Sequence, residues 1–279
     1  MGDGNLYCYE KEDVDFNNFK LKPYTIVKPQ FQTPFIASFP HSGVYIPPFL
    51  KKLYTANHLT RLRHTDWYLP NVYNFLSDIG VVSIQANFSR YTADVNRCSS
   101  NGTLTGRYNQ AVIYTHDTSH EPILKRSDSD LRSKQRVRDY YTPYHAALEK
   151  LICETRDRFG YAYLIDLHSF LTPLDEQLCL GSQDNYRTAS TLHPTMQATL
   201  GEHFQHVAHN KVFKGGFITR KYGAMNNVEA LQIELRYSEY LKNGTYEDCD
   251  RFPEIDQQKL ISLQPKLKKA LINTINAFH

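Results

Sequence analysis

Short apolar runs that stop at a turn and hand over to helical patterns constrain this chain more than any other feature. Pro34-Phe35-Ile36-Ala37-Ser38-Phe39 is closed by Pro40 and Gly43, and Val81-Val82-Ser83-Ile84 follows the stop Asp78-Ile79-Gly80. Tyr161 to Leu167 follows Gly160, and Ala230 to Leu235 is a fourth run. Apolar spacing between them predicts helices from about Asn57 to Leu76, from Ser129 to Phe159 with Pro143 kinking or splitting the element, from Ala189 to Ala208, and from Gln257 to Ala277. Strands alternating with helices predict an α/β fold, with a mixed, mostly parallel sheet flanked by helices on both faces. Such sheets bind ligands beyond the carboxyl ends of their strands, so the residues after each run carry the functional question.

With 279 residues and 41% hydrophobic content, the chain has material for one large core, and a single domain over 1–279 is expected, residues 1–30 forming a loosely packed lead-in. No apolar run is long enough to span a membrane, and Met1-Gly2-Asp3-Gly4-Asn5 lacks the basic and apolar blocks of a secretion signal. Cys8, Cys98, Cys153, Cys179 and Cys249 are scattered, odd in number and never spaced as CxxC, which argues against a disulfide framework or a cysteine zinc site and fits a reducing cytoplasm. The net charge of +3 is small and Lys and Arg are dispersed, so nucleic acid is not an expected partner.

The strand ends carry His41 after the first run, Arg90, Asp94, Asn96 and Arg97 beyond the second, His168 after Asp166-Leu167, and Glu234 inside Leu231-Gln232-Ile233-Glu234-Leu235. Two histidines and several acids at equivalent edges have the composition of a metal site. Catalytic zinc takes three protein ligands from His and carboxylates and leaves a position open. His41 and His168 supply two candidates, and Asp66 in His64-Thr65-Asp66-Trp67 is the third. Each has a plainer reading: a His after a strand is often a hydrogen-bonded turn residue, and Asp66 at a helix start would serve as a cap.

Glu234 must face one side of its strand, where burial is costly without a partner. It is either ion-paired with Arg236, which shares its face, or the general base of a hydrolytic site. Arg90-Tyr91-Thr92-Ala93-Asp94-Val95-Asn96-Arg97 is either a surface ion-pair cluster or a grip for a substrate carboxylate, since guanidinium groups bind carboxylates with paired hydrogen bonds. Lys214-Gly215-Gly216-Phe217-Ile218-Thr219-Arg220 is a plain turn or a second binding loop in which Arg220 adds a clamp. The polar stretch Asn101 to Asp130 reads as an excursion that covers a site or as a tolerated insertion. His203, His206 and His209 repeat every third position and read as a wet helix face. There is no GxSxG, P-loop or GxGxxG to support a serine esterase, a nucleotide hydrolase or a dinucleotide enzyme.

Taken in series, several motifs resemble those of the N-formylglutamate amidohydrolase family: Pro40-His41-Ser42-Gly43, Thr65-Asp66-Trp67, Ser89-Arg90-Tyr91 through Asn96-Arg97, Tyr144-His145, Leu164 to Phe170, Phe213 to Gly223, and Gln232-Ile233-Glu234-Leu235. They run in order between residue 34 and about 241. The resemblance implies a zinc-peptidase-like architecture and hydrolysis of N-formyl-L-glutamate to formate and glutamate in histidine degradation, the substrate being a small acidic N-acyl amino acid. It implies His41 and His168 as ligands of one zinc ion, Glu234 as the catalytic carboxylate, and Asn96 and Arg97, with Arg90 and Arg220, on the substrate's carboxylates. Zinc carboxypeptidases place a glutamate ligand three residues after the first His, where this chain has Val44, so Asp66 has to take that place. A second departure is the polar 101–130 segment, with His116, Asp117, His120 and Glu121, where the deformylases have an apolar loop. A carboxypeptidase, a deacylase of another N-acyl amino acid and a non-catalytic binder of acidic metabolites are the alternatives.

Overall fold

Phe35–Phe39 is buried along its whole length because it lies inside a seven-stranded sheet. The computed structural model describes residues 21–100, 103–126, 131–171, 175–183, 191–246 and 252–278. In chain order the sheet strands are β1 (Tyr24–Val27), β2 (Phe35–Phe39), β3 (Val82–Ala86), β6 (Ala162–Phe170), β7 (Leu178–Gly181), β8 (Val207–His209) and β9 (Val228–Arg236). Their spatial order is β1-β3-β2-β6-β9-β7-β8, and β4 (Thr105–Gly106) pairs with β5 (Ile113–Tyr114) in a separate two-stranded piece. The central strands β3, β2, β6 and β9 are mutually parallel; β1 and β7 join them antiparallel, and β8 is parallel to β7. The chain leaves β2 toward β3 and leaves β6 toward β9, so the strand order reverses between β2 and β6. That is the place where such sheets open a crevice at their carboxyl ends.

Eight α-helical segments accompany the sheet among the described residues: α1 (Pro48–Lys51), α2 (Ala56–Arg61), α3 (Leu69–Val72), α4 (Ser133–Arg136), α5 (Thr142–Phe159), α6 (Leu192–Gly201), α7 (Phe217–Gly223) and α8 (Gln257–Asn276). Alternation along each strand assigns its two faces. Phe35, Ala37, Tyr163, Ile165, Leu231 and Ile233 share one core with residues of α3, α6 and α8. Ile36, Val82, Ile84 and Leu164 share the other with Tyr144, Leu148 and Ile152 of α5 and Ile218 and Tyr222 of α7. On this second face the apolar layer ends partway along the strands. In register beyond it stand Ser38 beside Asp166, Gln232 beside Asp166, and Glu234 beside His168.

The structure corrects several boundaries. Tyr24–Val27 pairs with β3, so part of the expected lead-in is an ordered edge strand. The helix expected from Asn57 to Leu76 is broken between α2 and α3, where Leu62, His64 and Tyr68 adopt left-handed backbone conformations. The break lets the Asp66 N–H donate to the His41 carbonyl at 3.0 Å, tying this segment to the end of β2. The helical stretch is interrupted just before Pro143: a π-helical turn over Val137–Tyr141 joins α4 to α5, and Pro143 stands in the first turn of α5. The helix expected to reach Ala208 ends at Gly201, and Val207–His209 is strand β8, so His203, His206 and His209 do not form one helix face. No helix among the described residues is long and apolar enough to cross a membrane.

Candidate metal centre and active site

His41, Asp66 and His168 are each buried, and one potential ligand atom from each lies within 4.8 Å of the others. Asp66 Oδ2 sits 3.0 Å from His168 Nδ1 and 3.7 Å from His41 Nδ1, so both rings turn the same nitrogen toward it. Asp66 Oδ1 accepts from the Ser169 backbone N–H and from Ser169 Oγ, both at 3.1 Å. Its carboxylate is occupied by these groups, and α3 begins beyond it at Leu69 with no side-chain cap. The helix-cap reading of Asp66 therefore fails.

Behind each imidazole stands a second buried carboxylate. His41 Nε2 lies 2.8 Å from Asp94 Oδ1, and His168 Nε2 lies 2.9 Å from Asp166 Oδ2. A histidine that donates one ring N–H to a carboxylate presents the other nitrogen as a lone pair, the arrangement that orients metal ligands. The two acids are themselves held in place. Asp94 takes Arg90 Nη2 at 2.8 Å, the Asn96 N–H at 2.8 Å and the Tyr114 hydroxyl, while Asp166 accepts from Ser38 Oγ at 2.8 Å, which is joined in turn to Tyr144.

The donor chemistry fits a divalent ion. Two nitrogens and a carboxylate converge, and four buried carboxylates (Asp66, Asp94, Asp166 and Glu234) gather in this region beside the guanidinium groups of Arg90 and Arg97. The electrostatics express that excess of acid. Burial pushes Glu234 up to about 8, against the pull of His168 and with the help of Asp66 and Asp166. Burial works against charge on His168 too, but Asp166 and Asp66 outweigh it and hold the ring well above the usual histidine value. His41 is lowered to about 4, chiefly by burial and by Arg90, with Asp94 opposing. Burial would raise Asp94, but His41, Arg90 and Arg97 hold it well below the carboxylate range.

A cavity of about 450 Å³ opens over this cluster. His41, Asp66, His168, Glu234, Arg90, Asn96 and Arg97 all line it. Glu234 is 5% exposed and its Oε1 accepts from Gln232 Nε2 at 2.7 Å, so the partner considered for it, Arg236, is replaced by a neutral amide. Arg90 spends its donors on Asp94 and on the His64 carbonyl, and its guanidinium lies 4.9 Å over the Tyr108 ring. Asn96 is fixed at both ends: Oδ1 accepts the Ile218 N–H at 2.8 Å, and Nδ2 donates to Asp166 Oδ2 at 3.4 Å. A side chain on Gly216 would collide with that amide, which accounts for a glycine there. Arg97 donates Nη1 to the Asn96 carbonyl at 2.7 Å and Nη2 to Asn109 Oδ1, leaving a buried Nε with no partner among the described residues.

Arg220 is a correction. It is exposed on α7, its guanidinium 6.0 Å from the Phe217 ring, and it does not line the cavity, because Ile218, Thr219 and Tyr222 take the inward face of that helix. The polar excursion does reach the cavity, through Tyr108, Asn109 and Thr118, with Thr118 Oγ1 2.7 Å from His64 Nε2. Sequence reasoning singled out neither Asp166 nor Asn109. Asp166 had a readable signal, since Asp-x-His on a strand puts both side chains on one face; Asn109 had none.

The model of the family described as N-formylglutamate amidohydrolase matches residues 33–241. The N-formylglutamate deformylase of Pseudomonas putida is 29% identical over 230 residues, 76% of this chain and 84% of that protein. The enzyme of the same name from Pseudomonas aeruginosa is 28% identical over 225 residues, 75% of this chain and 83% of its own length. Among solved structures, the N-formylglutamate amidohydrolase of Ralstonia eutropha superposes with a TM-score of 0.74 at 23% identity, covering 91% of this chain and 96% of that one. A gene product of Agrobacterium tumefaciens shares the fold at a TM-score of 0.71 and 16% identity, covering 92% and 95%.

Proposed function

The chain belongs to the N-formylglutamate amidohydrolase family, and from that premise we propose that it hydrolyses the amide bond of N-formyl-L-glutamate to formate and L-glutamate, as a single catalytic domain that uses zinc. The observation that carries the reading is the pair of imidazoles converging on Asp66, each backed by its own buried carboxylate at the mouth of the β2/β6 crevice. His41, Asp66 and His168 would hold the ion, a donor set that suits zinc and keeps a position open. When bound, the ion supplies Lewis acidity for water and for the acyl oxygen.

The chain's own residues supply the rest. Glu234 takes a proton from the attacking water and returns it to the departing nitrogen, the two transfers that amide hydrolysis requires. Its burial keeps that carboxylate close to neutral pH instead of near 4, so it both accepts and releases a proton. Arg97 binds a substrate carboxylate through its guanidinium, whose Nη donors hold it still and whose Nε has no partner among the described residues. Arg90 acts through Asp94, setting the imidazole of His41. Asn96 ties Asp166, which orients His168, to the start of α7.

The test is product analysis on N-formyl-, N-acetyl- and N-succinyl-L-glutamate and on short peptides. The reading expects formate from the first at the highest kcat/KM. Preferred cleavage of another member of the panel would keep the reaction type and replace the acyl group.

A further inference from the structure

We propose that Gln232 accepts a hydrogen bond from the N–H of the scissile amide, so that the site selects secondary amides, the N-acyl derivatives of primary amines. The inference rests on the amide-hydrolase reading and adds a specificity residue to it.

Gln232 lies on β9 two residues before Glu234 and therefore on the same face. It is 5% exposed and lines the cavity. Its Nε2 donates to Glu234 Oε1 at 2.7 Å, the arrangement that goes with Glu234 in the ionised form that takes a proton from water. The other end, Oε1, is buried and has no partner among the described residues. A buried carbonyl oxygen in that state calls for a donor.

The neighbouring strands supply none. On β6 the register partner of Gln232 is Asp166, whose oxygens already accept from Ser38 and face His168. On β7 the partner is Gly181, which has no side chain. The cavity that Gln232 lines is where a ligand can bring such a donor, beside the carboxylate that carries protons to and from the reacting atoms. The N–H of an N-acyl amino acid is such a donor. With its N–H on Gln232 Oε1, the substrate nitrogen is held beside Glu234. In the reaction, water gives a proton to Glu234 and its oxygen to the acyl carbon. The C–N electron pair stays on nitrogen, which then takes the proton from Glu234. The same Gln232 amide thus orients the proton carrier with one end and the leaving nitrogen with the other.

The test uses two mimics that are not hydrolysed: N-methylsulfonyl-L-glutamate, which keeps the N–H, and its N-methyl derivative, which has lost it. Their dissociation constants are measured by calorimetry on the zinc-loaded wild-type protein and on Gln232→Met. The wild type should prefer the N–H compound by at least about tenfold, a preference of the size that follows when a buried acceptor loses its donor. In Gln232→Met the preference should shrink to near unity. Equal affinities in the wild type would overturn the proposal, and so would an unchanged preference in Gln232→Met; the wild-type comparison stands by itself if the variant does not fold. Formate release from N-formyl-L-glutamate is scored separately. An N–H preference without formate release would retire the deformylase reading and keep the role of Gln232, and formate release without the preference would do the reverse.

Discussion

His168 Nε2 lies 2.9 Å from Asp166 Oδ2, its neighbour two residues earlier on the same strand and the same face. That spacing leaves Nδ1 of His168 toward Asp66 and makes β6 carry both a candidate ligand and the group that orients it.

Replacing the orienting carboxylate should therefore weaken the metal site while leaving all three ligands present. Asp166→Asn is expected to reduce zinc affinity by about 10- to 100-fold, measured by competition with a chromophoric chelator. Wild-type affinity in that variant would mean that the His168–Asp166 contact does not tune the site.

Glu234→Gln removes the proton carrier and keeps the shape. Turnover should fall by about 10²- to 10⁴-fold with zinc content unchanged, read by formate production beside elemental analysis. Retained turnover would rule out the general-base role.

The arginines separate by position. Arg97 lines the cavity and its buried Nε has no partner among the described residues, whereas Arg220 is exposed on α7. Loss of a hydrogen bond to a charged group costs about 2 kcal/mol, so Arg97→Ala should raise KM roughly thirtyfold with metal content intact. Arg220→Ala should leave kcat and KM unchanged. Equal effects from the two substitutions would contradict the geometry.

Acid should destabilise the fold through His145. Its Nε2 lies 2.8 Å from the Val95 carbonyl and its Nδ1 2.8 Å from the Tyr222 hydroxyl, and its ring is buried among Tyr141, Phe217 and Tyr222. Burial, helped by Lys221, lowers it to about 3 from 6.5. The unfolded chain binds this proton at a higher pH than the folded one does. The stabilisation is thus complete above pH 6.5 and is lost progressively as pH falls toward 3. Urea unfolding between pH 3 and 7 should show stability rising with pH in the wild type and rising less steeply in His145→Gln. Parallel curves would exclude His145 as a source of the dependence.

The long elements were legible for physical reasons. β2, β6, β9 and α8 carry strong periodicity or unbroken apolar runs bounded by Pro and Gly, and a register of alternate residues follows from any one of them. The residues brought to the cavity from these strand ends, His41, His168 and Glu234, share that legibility. The break that delivers Asp66 was hidden, because its left-handed residues are Leu62, His64 and Tyr68 and no glycine marks them. Strands β7 and β8, of four and three residues, are too short to display a period. Asn109 meets Arg97 from twelve residues further along the chain, beyond β4, a contact that no local pattern encodes.

The central claim is that His41, Asp66 and His168 hold the ion on which amide hydrolysis depends. It is tested most directly by formate release from N-formyl-L-glutamate with untagged protein, before chelation, after chelation and after zinc is returned. Activity that vanishes and comes back is the predicted result. Formate release that survives complete removal of the metal would contradict it.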